Sequence, residues 1–478
     1  MTPYTVRPWR IGIIGVAALA VFAFSVATLY PGWYSFDTSW QLWQARNGRF
    51  SDLQPPGMAF AWSVLLAAGL PPGSLLVAHL AALAAGTALL GISVRRLHGL
   101  ALPLVLLWPP FLVTFGHLWN DVSLAAALAL ATGWISWTRA TGRPAWGWLA
   151  AIPLAYAIGV RHNAVLAAPP LIFLLLVPAP ASARRAASGV VLAIALSAGV
   201  FAGWAVVSRW VVTIPSPVLN VLAIWDLSAT SVESGELLLP EGVYGPGLTV
   251  DELRPLVKAG TVYYVVTGTR NGINPGFAEP LPPAVERELR MRWLSLPFTH
   301  PVGWLRHRLA MAWLLFGPQR PDRGESDFIV PVVIDRPGNP VIVANDSPAN
   351  AWLLGTVRAW RPTAAGMPLA YLLLSVLACA LALRRGFGGD RGLVLALAAG
   401  AWLVALPLAI FSASAEWRYL TWPMMSSALA LLLALDGGRR SGETDGGGCE
   451  IRTHEQCELL PVFKTGALNR SANPPARR

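Results

Sequence analysis

Residues 11–30 read IGIIGVAALAVFAFSVATLY, and the chain continues Pro31-Gly32-Trp33-Tyr34-Ser35-Phe36-Asp37-Thr38. Twenty uncharged residues at 1.5 Å each cover about 30 Å, the thickness of a bilayer's hydrocarbon core. The run is longer than a signal-peptide core and no small-residue cleavage site follows it, so a retained first span is expected. Arg7 and Arg10 precede it, which orients the N-terminus toward the cytoplasm. Asp37 then falls just beyond the opposite boundary, among interfacial aromatic residues.

The same pattern recurs outward from this stretch. Apolar runs at 74–94, 100–115, 122–137, 145–160, 164–177, 190–212, 367–383, 393–411 and 419–435 predict an all-α polytopic membrane protein with about ten transmembrane helices. Of the 478 residues, 55% are hydrophobic and 13% charged, half the charge of an ordinary soluble domain. The net charge of +11 does not point to nucleic acid, because the cations sit between apolar runs. Arg7/Arg10, Arg95/Arg96, Arg139/Arg143, Arg184/Arg185, Arg384/Arg385/Arg391 and Arg439/Arg440 fall on alternate connections, as the positive-inside rule requires with both termini cytoplasmic. Cys379, Cys449 and Cys457 form no disulfide framework. Only Lys258 and Lys464 are lysines, an arginine bias typical of a GC-rich bacterial genome.

The opposite face is expected to carry a first outer loop at 31–73 and a large outer segment at 213–366. In the first loop, the spacing predicts a short amphipathic helix ending near Gly48, then a second helix started by Pro55-Pro56. Within the large segment, 293–316 and 328–343 are moderately apolar. Arg306, His307 and Arg308 interrupt the first of these, so an interfacial helix is expected there.

Polar residues gather on this face. Asp37 under aromatic cover suits a general base with a raised pKa, against the plainer role of a solvated loop residue or a helix cap; Asp52 closes the following amphipathic stretch. Asp121, in His117-Leu118-Trp119-Asn120-Asp121, either caps the next helix or orients a substrate or cation; with His117 alone it is too small a ligand set for zinc. Arg161-His162-Asn163 places an arginine against the charge rule, and guanidinium suits bidentate phosphate binding. Glu416-Trp417-Arg418-Tyr419 occupies the last outer turn, either as an ion pair or as a second phosphate or sugar contact.

At these residues the chain resembles the GT-C membrane glycosyltransferases, in particular those related to protein O-mannosyltransferases and lipid A aminoarabinose transferases. The resemblance covers about residues 11–435 in element order and rests on Asp37, Gln54-Pro55-Pro56, Trp119-Asn120-Asp121, Arg161-His162-Asn163, His300-Pro301 with Arg306, and Glu416 to Tyr419. It departs in having one Asp, not an acidic pair, after the first span, and in Gln54 and Asn120. It implies an inverting enzyme of the bacterial inner membrane that moves a sugar from a polyprenyl-phosphate donor to a cell-envelope glycan, lipid or protein. Asp37 would be the catalytic base, Arg161 and Arg418 would hold the departing phosphate, and Asp52, Asp121, His162 and Glu416 would bind substrate. A divalent metal requirement is left open.

A transporter or lipid flippase, or a non-catalytic membrane assembly protein, are the competing readings. A transporter places ionisable residues near mid-membrane and commonly repeats its halves, whereas no repeat is visible and the charges lie at one face. Residues 1–440 form the membrane body. The composition changes at residues 441–478, a flexible tail in which Cys449, His454 and Cys457 lack a fourth zinc ligand. Glu450 to Thr453 and Leu468 to Ala472 are codable as antisense T-arm and D-arm sequences, so the tail is expected to be read-through of a neighbouring tRNA gene.

Overall fold

The computed structural model describes residues 8–94, 97–177, 181–268, 272–276, 279–318, 333–384 and 387–436. The tail at 441–478, with its zinc and tRNA readings, and the arginines at 7, 95, 96, 385, 439 and 440 lie outside the described residues.

The uncharged opening stretch forms α1 (Pro8–Leu29), and the first loop that follows carries α2 (Phe36–Asn47) and α3 (Gly57–Ala67). Gly48 ends α2 at φ +61°, a left-handed cap that a side chain would strain. The chain continues through α4 (Ser74–Ser93), α5 (Ala101–Leu104), α6 (Pro109–Phe115), α7 (Asn120–Thr141), α8 (Ala151–Val160), α9 (Ala164–Leu176) and α10 (Ala183–Val211). The segment at 213–366 holds α11 (Val218–Ser234), α12 (Val250–Leu253), α13 (Tyr263–Gly268), α14 (Pro283–Thr299), α15 (Pro301–Phe316) and α16 (Pro348–Trp360). Helices α17 (Pro368–Leu383), α18 (Arg391–Phe411) and α19 (Thr421–Asp436) close the bundle. Two short strands, β1 (Phe50–Ser51) and β2 (Val212–Ile214), pair in parallel and tie the first loop to the end of α10.

Helix α4 packs along α7 through small residues: a Cβ at Gly86 would fall inside the Ala129 backbone. Arg10, at the start of α1, is buried and donates to the Val94 carbonyl at 2.5 Å, just beyond the end of α4. Helix α10 buries only Gly189, Ala193 and Ser197, leaving Val190, Val191, Ile194, Val206 and Trp210 bare. A bare apolar face of that length is unstable in water and suits acyl chains.

Four helices among the described residues are long and apolar enough to cross a bilayer: α1, α4, α10 and α18. The expected count of about ten is not met. The 100–115 run is broken into α5, a 3₁₀ turn and α6 around Pro103, Pro109 and Pro110, because proline has no N–H for the helix ladder. Helix α9 is 13 residues, about 20 Å, with Pro169 and Pro170 inside it. Residues 144–150 are 3₁₀, leaving α8 only ten residues, and α17 and α19 each have 16. Helix α7 has 22 residues but opens on Asn120 and Asp121 and ends beyond Arg139. The single interfacial helix expected at 293–316 is instead two, broken at His300-Pro301. Helix α15 buries His307 and Arg308 and packs on α11 and α18. Of 328–343, the residues from Val333 form no helix: Val333 bridges to Tyr34, and a turn follows at 337–339.

Candidate functional site

The N-terminus of α2 is stitched to the turn before α7, and this sets Asp37. Ser35 is the N-cap: its Oγ accepts the Thr38 N–H at 3.5 Å and the Trp119 Nε1–H at 2.8 Å. Thr38 Oγ1 donates to the Leu118 carbonyl at 3.3 Å, and Trp33 N–H donates to Gly116 O at 2.9 Å. His117 stacks on Trp119 at 3.7 Å between ring centroids, which accounts for it without a metal.

From this platform Asp37 Oδ2 accepts Arg418 Nη2–H at 2.6 Å. The Arg418 Nε–H is taken by Glu416. Asp121 Oδ1 pairs with Arg161 Nη2 at 2.9 Å. Tyr419 joins the two pairs: its ring lies 4.7 Å from the Arg161 guanidinium and 5.4 Å from that of Arg418, which also rests 4.8 Å from the Trp119 ring. Ser414 Oγ donates to Glu416 Oε1 at 2.8 Å and lies 2.9 Å from Tyr419 OH. Burial works against the Arg418 charge, but the carboxylates of Glu416 and Asp37 outweigh it and hold its pKa well above the ordinary arginine value.

Five of the seven residues singled out in the sequence therefore converge: Asp37, Asp121, Arg161, Glu416 and Arg418. Two expectations change in detail. Asp37 is not sealed under aromatic rings; its side chain is 27% exposed and faces a guanidinium. Arg161 and Arg418 already meet carboxylates, Asp121 on the one and Asp37 with Glu416 on the other. No group of three or more His, Cys, Asp or Glu side chains among the described residues is arranged to hold a metal, and these carboxylates face guanidiniums instead.

Asp52 and His162 form no hydrogen bond or ion pair with the cluster and line the polar part of a groove between α3 and α10. Two adjoining cavities of about 350 and 370 Å³ share Pro56 and Trp204. One is lined by Phe60, Val200, Val207 and Val211 and is almost wholly apolar. The other adds Asp52, His162, Ser208 and Arg209. Asp52 Oδ1 accepts the Ser216 N–H at 2.5 Å. Burial, aided by neighbouring Arg161, lowers the His162 pKa and favours the neutral ring. His300 and Arg306 are not part of either site; Arg306 pairs with Glu233 on the outer segment.

Sequence reading missed three contributors. Arg209 lies in the last turn of α10, at the end that the charge pattern of the sequence assigns to the same side as Arg161, so a signal was present. Asp226 and Arg308 form a buried pair at 2.6 Å, and Arg308 Nη1 donates to the Ser412 carbonyl at 2.7 Å, anchoring the loop that carries Glu416 and Arg418. The backbone of 260–262 holds the same loop: Ala415 N–H donates to Gly260 O at 2.8 Å and Val262 N–H to Ala413 O at 3.2 Å. No sequence periodicity marks that pairing.

No protein-family model, curated protein or solved structure matches the chain.

Proposed function

We propose that the chain is a polytopic membrane glycosyltransferase that moves a sugar from a polyprenyl-phosphate-linked donor to an extracytoplasmic acceptor. The observation that carries the reading is the partly exposed Asp37, oriented by Arg418 and set in an ion-pair cluster one residue along the chain from an apolar groove that ends in polar groups. A lipid carrier needs an apolar channel open to the bilayer, and its reacting head group needs polar partners at the surface.

In this reading Asp37 takes the acceptor hydroxyl's proton as its oxygen attacks the anomeric carbon. The bond from that carbon to the phosphate oxygen breaks, polyprenyl phosphate leaves, and the configuration inverts. Arg418 orients Asp37, and Glu416 balances Arg418. Arg161 with Asp121 forms the opposite wall. The enzyme sits in a bacterial inner membrane with both termini cytoplasmic, and the helices shorter than a full span complete its crossings within the bundle.

The test supplies the purified full chain, in vesicles, with a panel of radiolabelled polyprenyl-phosphate sugars and candidate acceptors from cell envelopes. Transfer is expected with at least one donor. Asp37→Asn should lower kcat by about 10²-fold or more, while Arg418 keeps its Glu416 partner and the fold. Undiminished transfer by Asp37→Asn would remove Asp37 as the base.

A further inference from the structure

The groove between α3 and α10 carries a feature that the ion-pair cluster lacks, an uncommitted cation. Among the described residues no carboxylate pairs with Arg209, whereas Arg161 and Arg418 are both engaged. The groove follows one face of α10. Val200, Trp204, Val207 and Val211, at helical spacings of three and four, line the apolar part, and Ser208 and Arg209, on the neighbouring stripe at the level of Val207 and Val211, line the polar part. From Val200 to Val211 this face runs about 17 Å along the helix.

Two glycines set the helix packing beside the groove. A Cβ on Gly57 would fall inside the Gly159 carbonyl, and a Cβ on Gly159 would fall inside the Trp204 indole. Helices α3 and α10 therefore approach α8 closely at this level, with Trp204 Nε1–H donating to Ala155 O at 2.8 Å. At the polar end, one Asp52 oxygen accepts the Ser216 N–H and the carboxylate lies with His162 and Arg209 around the same cavity. A bare phosphate meets Asp52 as a like charge. A phosphate that also carries hydroxyl groups satisfies both ends, since guanidinium takes the anion and carboxylate takes hydroxyl protons.

We infer that this groove is the docking site of a lipid-linked glycosyl phosphate, with Arg209 holding the phosphate, Asp52 accepting a sugar hydroxyl, and the prenyl chain lying against the 200–211 face of α10. The inference rests on the proposed donor class and reassigns the phosphate contact from Arg161 and Arg418. His162 follows Arg161 directly in the chain, so the polar end of the groove adjoins the Asp121–Arg161 pair.

The experiment is photolabelling of the full chain in vesicles with two diazirine probes, polyprenyl phosphate and polyprenyl-phosphate-mannose. The corresponding polyprenol and phosphatidylglycerol serve as competitors, and labelled peptides are mapped. Label is expected on residues 52–60 and 200–212. Arg209→Gln should lower labelling by both phosphates about tenfold, and Arg209→Lys should retain at least half, because a point charge still meets the anion. Asp52→Asn should weaken labelling by the sugar-bearing probe alone. Labelling insensitive to Arg209→Gln, label mapping elsewhere, or displacement by phosphatidylglycerol as effective as by polyprenyl phosphate would overturn the site. Labelling reads binding without turnover. A groove that labels as expected in a protein that transfers no sugar sinks the transferase reading alone; transfer that persists with Arg209-independent labelling sinks the site alone.

Discussion

Replacing Arg308 by Met tests how the outer segment holds the cluster. Asp226 is 1% exposed and Arg308 3%. Asp226 receives Arg308 at 2.6 Å and the Trp293 indole N–H at 2.8 Å, with His307 3.4 Å away. Without Arg308 the carboxylate keeps the indole donors of Trp293 and Trp304 but loses its guanidinium partner, so the loss should be about 3 kcal/mol, at the lower end for buried pairs stripped of one partner. Asp226→Asn leaves the guanidinium similarly uncompensated. The double variant Asp226→Asn/Arg308→Met buries no charge and should recover part of the loss, giving a coupling energy of at least about 2 kcal/mol. Unfolding titrated with SDS, read by tryptophan fluorescence, supplies the four corners of the cycle. Hydrogen exchange adds a local readout. Arg308→Met removes the donor to the Ser412 carbonyl, so the amide of Ala415, bonded to Gly260 O at 2.8 Å, should lose protection. Strict additivity of the two single losses, with Ala415 protection unchanged, would refute the idea that this pair anchors the Glu416–Arg418 loop.

Other outcomes follow from the same geometry. Gly159→Ala should displace Trp204, lower stability by about 1–3 kcal/mol and reduce prenyl-probe labelling; Gly203→Ala has open space and should leave stability within about 0.5 kcal/mol, both measured by the same SDS titration. His307, lowered to about 3 by burial and by Arg308, binds its proton more weakly folded than unfolded. Its contribution to stability is therefore complete above about pH 6.5 and is lost as pH falls toward 3, at up to about 1.4 kcal/mol per pH unit. Asp226, raised by burial against the opposing pull of Arg308, acts with the other sign, so the His307 share is isolated as the difference in slope between wild type and His307→Gln. A slope identical in the two proteins would count against a buried neutral His307.

Local pattern and tertiary contact contributed differently to what is known of this chain. The charge-free run at 11–30, Gly48 and Pro55-Pro56 were enough to place α1, α2 and α3, because helix periodicity and its punctuation are local properties. The positive-inside pattern also drew Asp37, Asp121, Arg161 and Arg418 to one face before any contact was known. Which carboxylate meets which guanidinium was not legible. Asp37 and Arg418 are 381 residues apart, and their meeting depends on the stitching of Ser35, Thr38 and Trp119 at one end and of Arg308 to Ser412 at the other. Apolar length alone also overcounted the continuous helices long enough to span, since hydropathy does not register where Pro103, Pro109 and Pro110 interrupt a helix. By itself, then, the sequence determined an all-helical apolar chain and singled out the polar residues that interrupt it. Tertiary structure alone decided that Arg161 and Arg418 meet carboxylates and that, among the described residues, none pairs with Arg209 in its groove, because pairing and access arise only where distant helices pack.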